Sequence, residues 1–129
     1  MRNKIVIQSN VNKLNTLYQW LETLLKEAKV EEKLSQTILL ITQEIATNSI
    51  LHGNQEITNK SVTVEVYIGL ADIIIDIEDE GKGIKTLPTK EEANQLNYLE
   101  EGGRGLKLAV LMSNAIELYG NKIRLIFNK

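Results

Sequence analysis

The chain has 129 residues, 43% hydrophobic and 25% charged, a length and balance suited to one compact domain over residues 1–129. It has no cysteine, which excludes thiol nucleophiles, thiolate metal centres and disulfide staples and makes a reducing compartment the default. Lys plus Arg number 15 against 17 Asp plus Glu, a net charge of -2, so no overall positive field is present to hold a nucleic-acid backbone or an anionic membrane.

Met1-Arg2-Asn3-Lys4 is followed by only a short apolar patch, Ile5-Val6-Ile7, far below the length of a signal-peptide core or a bilayer span. A cytoplasmic location is expected. Ile5 to Ile7 reads as a first strand. Leu14, Leu17, Tyr18, Leu21, Leu24, Leu25 and Ala28 then recur at three- and four-residue steps, the pattern of an amphipathic helix. Ser9-Asn10-Val11-Asn12 offers several N-caps for it. A second helix is predicted from Glu31 to His52, with Leu34, Ile38, Ile41 and Ile45 on one stripe and Gly53-Asn54 as its stop.

From Ser61 to Ile68 the alternation of Val62, Val64, Val66 and Ile68 with polar residues predicts a half-buried strand. After the turn Gly69 to Asp72, the residues Ile73, Ile75, Ile77 and Asp79 share one face of a second strand, which makes a hairpin. The mostly polar stretch Ile84 to Gly103 is long for a loop in a small domain, has room for a short helix around Glu91 to Leu99, and reads as a functional or mobile segment. A further helix starts near Arg104, and a closing hairpin runs from Ala115–Tyr119 through Gly120-Asn121 to Ile123–Phe127. The expected fold class is α+β: a two-layer sandwich of a mixed, mainly antiparallel sheet with three helices on one face.

Three places interrupt this core pattern. Glu44 and Asn48, four residues apart, fall within the apolar arc of the second helix and stand one above the other. An ionised carboxylate there is costly unless something polar lies against it, although Glu44 alone also reads as a marginal glutamate paired to a surface Lys or a backbone donor. Asp79 continues the inward face of its strand, and Gly81 and Gly83 after it either let backbone approach a ligand or supply a turn. Glu101-Gly102-Gly103-Arg104-Gly105-Leu106 opens a helix with successive bare N–H groups, which suits phosphate; it is neither a Walker A nor a dinucleotide fingerprint.

The ordered set Glu44-Ile45-Ala46-Thr47-Asn48 with His52-Gly53, Asp79-Glu80-Gly81-Lys82-Gly83-Ile84, and Gly102-Gly103-Arg104-Gly105-Leu106 resembles the N-box and two glycine boxes of the GHKL ATPases. Within that superfamily it looks most like the small anti-sigma-factor serine kinases of the RsbW and SpoIIAB type, over nearly the whole chain. The resemblance implies a histidine kinase-like ATPase fold, with ATP and magnesium as cofactors. It implies Glu44 as general base, Asn48 as a magnesium ligand, and Asp79 as acceptor from the adenine amino group. Gly81, Gly83 and Ile84 would shape the adenine pocket, and Gly102 to Leu106 would meet the phosphates under a movable lid of about residues 84–102. One departure stands out: Gly120-Asn121-Lys122 lies where many relatives place a Thr after the glycine-rich turn, so no ligand contact is carried over there.

By the same resemblance, the partners are a sigma factor and a STAS-type antagonist whose serine receives the γ-phosphate, with no direct nucleic acid or membrane contact. Family habit adds a homodimer. The alternative is a nucleotide-gated binding module of the same fold that sequesters a partner without phosphorylating it. His52, beside the supposed magnesium site, reads as packing against the helix end or supporting the phosphate site through water, Trp20 and Tyr18 as core or rim, and Lys82 as a solvated charge or one that approaches the nucleotide.

Overall fold

The computed structural model describes residues 1–83, 87–94 and 104–129, with Arg104 described through its backbone. Strand β1 spans Arg2–Gln8 and is followed by a 3-10 turn at Val11–Lys13 that runs into helix α1, Leu14–Glu27. Of the candidate caps, Asn10 caps the 3-10 turn, its side chain accepting from the Asn12 N–H at 2.9 Å, whereas α1 itself follows Lys13 with no side-chain cap bond. Leu17, Leu21, Leu24 and Leu25 form the buried stripe of α1. The helix stops at Ala28, where Lys29 turns left-handed at φ 56° and Val30 N–H returns to the Leu25 carbonyl.

Helix α2, Glu32–Asn48, starts on a glutamate cap: the Glu31 carboxylate accepts from the Lys33 and Leu34 N–H groups, both at 3.2 Å. A carboxylate satisfies two orphan donors there and complements the helix dipole. The single helix expected to His52 is corrected here. Regular α geometry ends at Asn48, and Ser49–Gly53 forms a π-turn closed by the Asn54 N–H on the Ser49 carbonyl at 2.8 Å. The wider turn redirects the chain so that Gly53 and Asn54 meet the ends of two strands.

Strands β2, Ser61–Ile68, and β3, Asp72–Glu78, form the expected hairpin, tied by the Gly69 N–H to the Asp72 carbonyl. One turn of helix, α3, lies at Lys90–Ala93, with Thr89 and Glu92 making a reciprocal capping box. The remainder of the helix expected to Leu99 lies outside the described residues, as do Ile84, Gly102, Gly103 and most of the supposed lid. Helix α4 is Arg104–Met112, and β4, Ala115–Tyr119, pairs with β5, Lys122–Asn128.

The strands form one sheet in the order β1-β2-β3-β5-β4, and every pairing is antiparallel. One face carries Ile7, Val62, Val64, Val66, Ile73, Ile75, Ile77, Leu125 and Phe127, all buried against α1, α2 and α4. The other face mixes charged residues with Val6, Tyr67, Ile74 and Ile126, and carries ion pairs. Arg124 Nε and Nη2 donate to the two Asp76 carboxylate oxygens at 2.8 and 2.9 Å, a bidentate geometry across neighbouring strands. The two-layer α+β sandwich is therefore the observed architecture. No helix among the described residues is long and apolar enough to cross a membrane.

Ser9, Thr42, Ser49 and Asn54 are polar and buried, and Thr42 differs from the others. Thr42 on α2 is 1% exposed, and among the described residues its hydroxyl has no hydrogen-bond partner. Leaving a buried hydroxyl unpaired costs about 1–3 kcal/mol, and Val fills nearly the same space without it. Thr42→Val should raise the thermal midpoint by a few degrees, on the order of 1 kcal/mol. A lowered midpoint in calorimetry would show that the hydroxyl is satisfied in solution.

Candidate functional site

A cleft of about 770 Å³ opens at one end of the sandwich, between the end of α2 with its π-turn, the end of β3, the β4–β5 turn and α4. That is the size range of small-molecule sites. Ile45, Ile77, Ile123 and Leu106 supply apolar walls, and Asn48, His52, Lys60, Asp79 and Asn121 supply polar groups.

Asp79 sits one residue beyond β3, half-buried, in the position that extends the inward face of Ile73, Ile75 and Ile77. The ladder continues through it: its N–H donates to the Asn121 carbonyl at 3.1 Å, and the Asn121 side-chain amide donates to the Asp79 carbonyl at 2.5 Å. Its Oδ1 accepts from the Gly81 N–H at 2.8 Å. The carboxylate is thus oriented from its own turn, with acceptor capacity left over.

Glycine permits this arrangement. A Cβ on Gly53 would overlap the Asp79 carboxylate, one on Gly81 would overlap the Gly53 carbonyl, and one on Gly83 would overlap the Gly120 carbonyl. Gly83 also has φ 81°, in the left-handed region where side chains are strained. Three turns distant in sequence therefore touch backbone to backbone around one carboxylate.

At the other end of the site, Glu44 and Asn48 stand a turn apart on α2, each half-buried. They do not enter closed core as the helical wheel implies, because Leu40, on the same side, is 44% exposed. They lie at the seam with α4, where a Cβ on Gly105 would be 3.0 Å from Asn48 Nδ2 and 3.1 Å from Glu44 Cβ. The bare glycine brings the first turn of α4, the positive end of the helix dipole, close to both side chains. Asn48 and Leu106 line the cleft, whereas Glu44 is not among its described lining residues.

Asn48, Asp79, Gly81, Gly83 and Leu106 thus gather in one cleft, with Glu44 and Gly105 at its edge; Ile84, Gly102, Gly103 and the Arg104 side chain lie outside what the structure describes. His52 differs from the expectation of packing against the helix end. The π-turn leaves it exposed on the cleft rim. Trp20 packs on the core, Tyr18 is 38% exposed, and Lys82 is an exposed rim charge. Sequence reasoning missed Lys60, Asn54 and the structural part played by Asn121. The one available signal was Asn121 itself, an amide in a hairpin turn where a hydroxyl was looked for.

Gly83→Ala combines a left-handed φ with a backbone collision and should cost on the order of 3 kcal/mol of stability. Gly120→Ala meets only a positive φ of 61° in open space and should cost about 1 kcal/mol. Denaturant titration should return the two in that order; equal losses would mean that the Gly83–Gly120 approach is looser than described.

Residues 7–127 match the model of the histidine kinase-like ATPase domain. Anti-sigma F factors from three strains of Clostridium perfringens are 34% identical to the chain over 84 residues, a stretch covering 61% of this chain and 58% of theirs. The chain thus matches a little over half the length of those curated relatives. A histidine kinase domain from the blue-light activated histidine kinase of Erythrobacter litoralis EL346 superposes with a TM-score of 0.46 at 19% identity, over 73% of this chain and 43% of that one. With the family match running from the end of β1 through β2, β3, β4 and β5 and the helices that flank the cleft, the chain belongs to the histidine kinase-like ATPase domain family.

Proposed function

We propose that the protein is an ATP-binding anti-sigma factor and protein serine kinase that transfers the γ-phosphate of ATP to a serine of a STAS-type antagonist. The observation that carries this reading is the arrangement of a single cleft. A glycine-backed carboxylate, Asp79, stands at one end, and Glu44, Asn48 and the start of α4 meet at the other. The likeness to anti-sigma F factors supports a sigma factor as the sequestered partner.

In this reading Asp79 accepts from the adenine amino group, and Gly81, Gly83 and Ile84 shape the pocket around the base. Gly102, Gly103, Arg104, Gly105 and Leu106 receive the phosphates, the backbone N–H groups at the start of α4 supplying partial positive charge. The serine Oγ attacks the γ-phosphorus, the bond from that phosphorus to the β-phosphate oxygen breaks, and ADP leaves. The serine proton passes to the Glu44 carboxylate. Positioning and charge neutralisation carry most of the rate, as in phosphoryl transfer generally.

Among the described residues no three His, Asp or Glu side chains gather as a metal cage. A lone oxygen donor such as the Asn48 carboxamide fits magnesium, which keeps water and phosphate oxygens as its other ligands. Asn48 would hold the ion, and its charge would offset that of the phosphates.

The alternative is a nucleotide-gated binding module of the same fold that sequesters a partner without transfer, Glu44 contributing only to ATP geometry. Incubation with labelled ATP, magnesium and a set of STAS-domain partners separates the two. Label on a partner serine supports the kinase, and stable complexes without label support the binding module. Glu44→Gln should lower transfer by about a hundred- to ten-thousand-fold while leaving ATP affinity intact. Undiminished turnover would remove Glu44 from the role of base.

A further inference from the structure

Asn54 is 0% exposed, the most deeply buried polar side chain among the described residues. Every polar group it has is paired. Its N–H donates to the Ser49 carbonyl at 2.8 Å, its carbonyl accepts from Ile57 N–H at 3.0 Å, its side-chain Nδ2 donates to the Ser61 carbonyl at 2.9 Å, and Oδ1 accepts from Glu80 N–H at 2.7 Å. It ties the π-turn after α2 to the start of β2 and the end of β3.

The last of these bonds bears on the site. The peptide unit between Asp79 and Glu80 is held at both ends by amide side chains from two other loops. Asn121 donates to its C=O, and Asn54 accepts from its N–H. Glu80 adds a further tie, since its Oε2 accepts from the Ser61 N–H at 2.5 Å. With that peptide plane fixed, the Asp79 side chain has little freedom beyond its own rotamers, and Oδ1 is already engaged by Gly81.

The loop holds Asn54 in place against conformational cost. Gln55 and Glu56, the next two residues, are both left-handed, at φ 53° and 58°. Two consecutive non-glycine residues in that region are uncommon and persist only where the surroundings enforce them. Here the enforcing contacts are the Glu56 N–H on the Ile50 carbonyl and the buried Asn54 itself.

We propose that Asn54 is a positioning residue for nucleobase selection: by gripping the Asp79–Glu80 peptide from behind, it fixes the carboxylate that distinguishes adenine from guanine. The inference rests on the proposed ATP site, and its test separates the two. The unaltered protein is titrated with ATP, GTP and inorganic tripolyphosphate in the presence of magnesium. Failure of ATP to bind at all would overturn the site reading and this role for Asn54 with it, whereas ATP binding with an unchanged base preference in the variant overturns the role alone.

Given ATP binding, Asn54→Ala should weaken ATP by about tenfold, the order of one hydrogen bond's worth, and narrow the preference for ATP over GTP. Tripolyphosphate affinity should not change, because the phosphates are held by other elements. Asn54→Asp keeps an acceptor for the Glu80 N–H but loses the donor to the Ser61 carbonyl, so it should lower stability while the molecules that stay folded keep most of the base preference. A purely structural role would lower the folded fraction without altering base preference in the folded molecules. Unchanged preference in folded Asn54→Ala therefore overturns the proposal. If that variant does not fold, amide hydrogen exchange of the unaltered protein decides. A Glu80 amide protected like the adjoining β3 amides supports the grip, and one that exchanges like a free loop amide refutes it.

Discussion

The site depends on backbone touching backbone. Gly53 comes from the turn after α2, and Gly81 and Gly83 from the turn after β3, and each stands where a single added carbon would collide with a carboxylate or a carbonyl of another turn. Glycine's cost in chain entropy is accepted at these positions because no other residue allows the approach. The close approach lets Asp79 be oriented by the Gly81 N–H and the Asn121 carbonyl, together with the side-chain amides of Asn54 and Asn121. A pocket that reads a base edge needs a fixed acceptor, since a wandering carboxylate would bind water as readily as a ligand.

The same principle recurs where the helices meet. Gly105 allows α4 to start against Glu44 and Asn48, so that a helix N-terminus, a carboxylate and an amide converge without a covalent or metal staple. The core beneath is ordinary: branched aliphatic residues on one sheet face against leucine and isoleucine stripes of α1 and α2. The core contributes rigidity, and the glycines contribute access. The two are compatible because the cleft opens at the end of the sandwich, where strands finish and turns take over.

Much of this was legible from residue order alone. Period-two runs at Ser61–Ile68 and Ile73–Ile77 foretold the central hairpin, and the inward phase of Asp79 followed from Ile73, Ile75 and Ile77. The spacing of Glu44 and Asn48 placed them on one helix face. The π-turn was not legible, because apolar Ile50 and Leu51 continue the helical pattern whether the bond spans four residues or five. His52 was misplaced for the same reason, since its side chain follows the redirected backbone to the rim. The pairings of Asn54 with Glu80 and of Asn121 with Asp79 join residues 26 and 42 apart. Nothing local in the chain announces such a partner; amides at turns ordinarily serve the turn itself.

The central claim is that one cleft selects a purine nucleotide through a carboxylate held by backbone. It is tested most directly by following backbone amide resonances while ATP and magnesium are added to the folded protein. The account predicts saturable shifts concentrated at Gly53–Asn54, Asp79–Gly83, Gly120–Asn121 and the first turn of α4, with GTP producing far smaller changes at equal concentration. Shifts centred elsewhere, such as the distant cleft lined by Lys29, Leu34 and Met112, or no shifts at all, would contradict it.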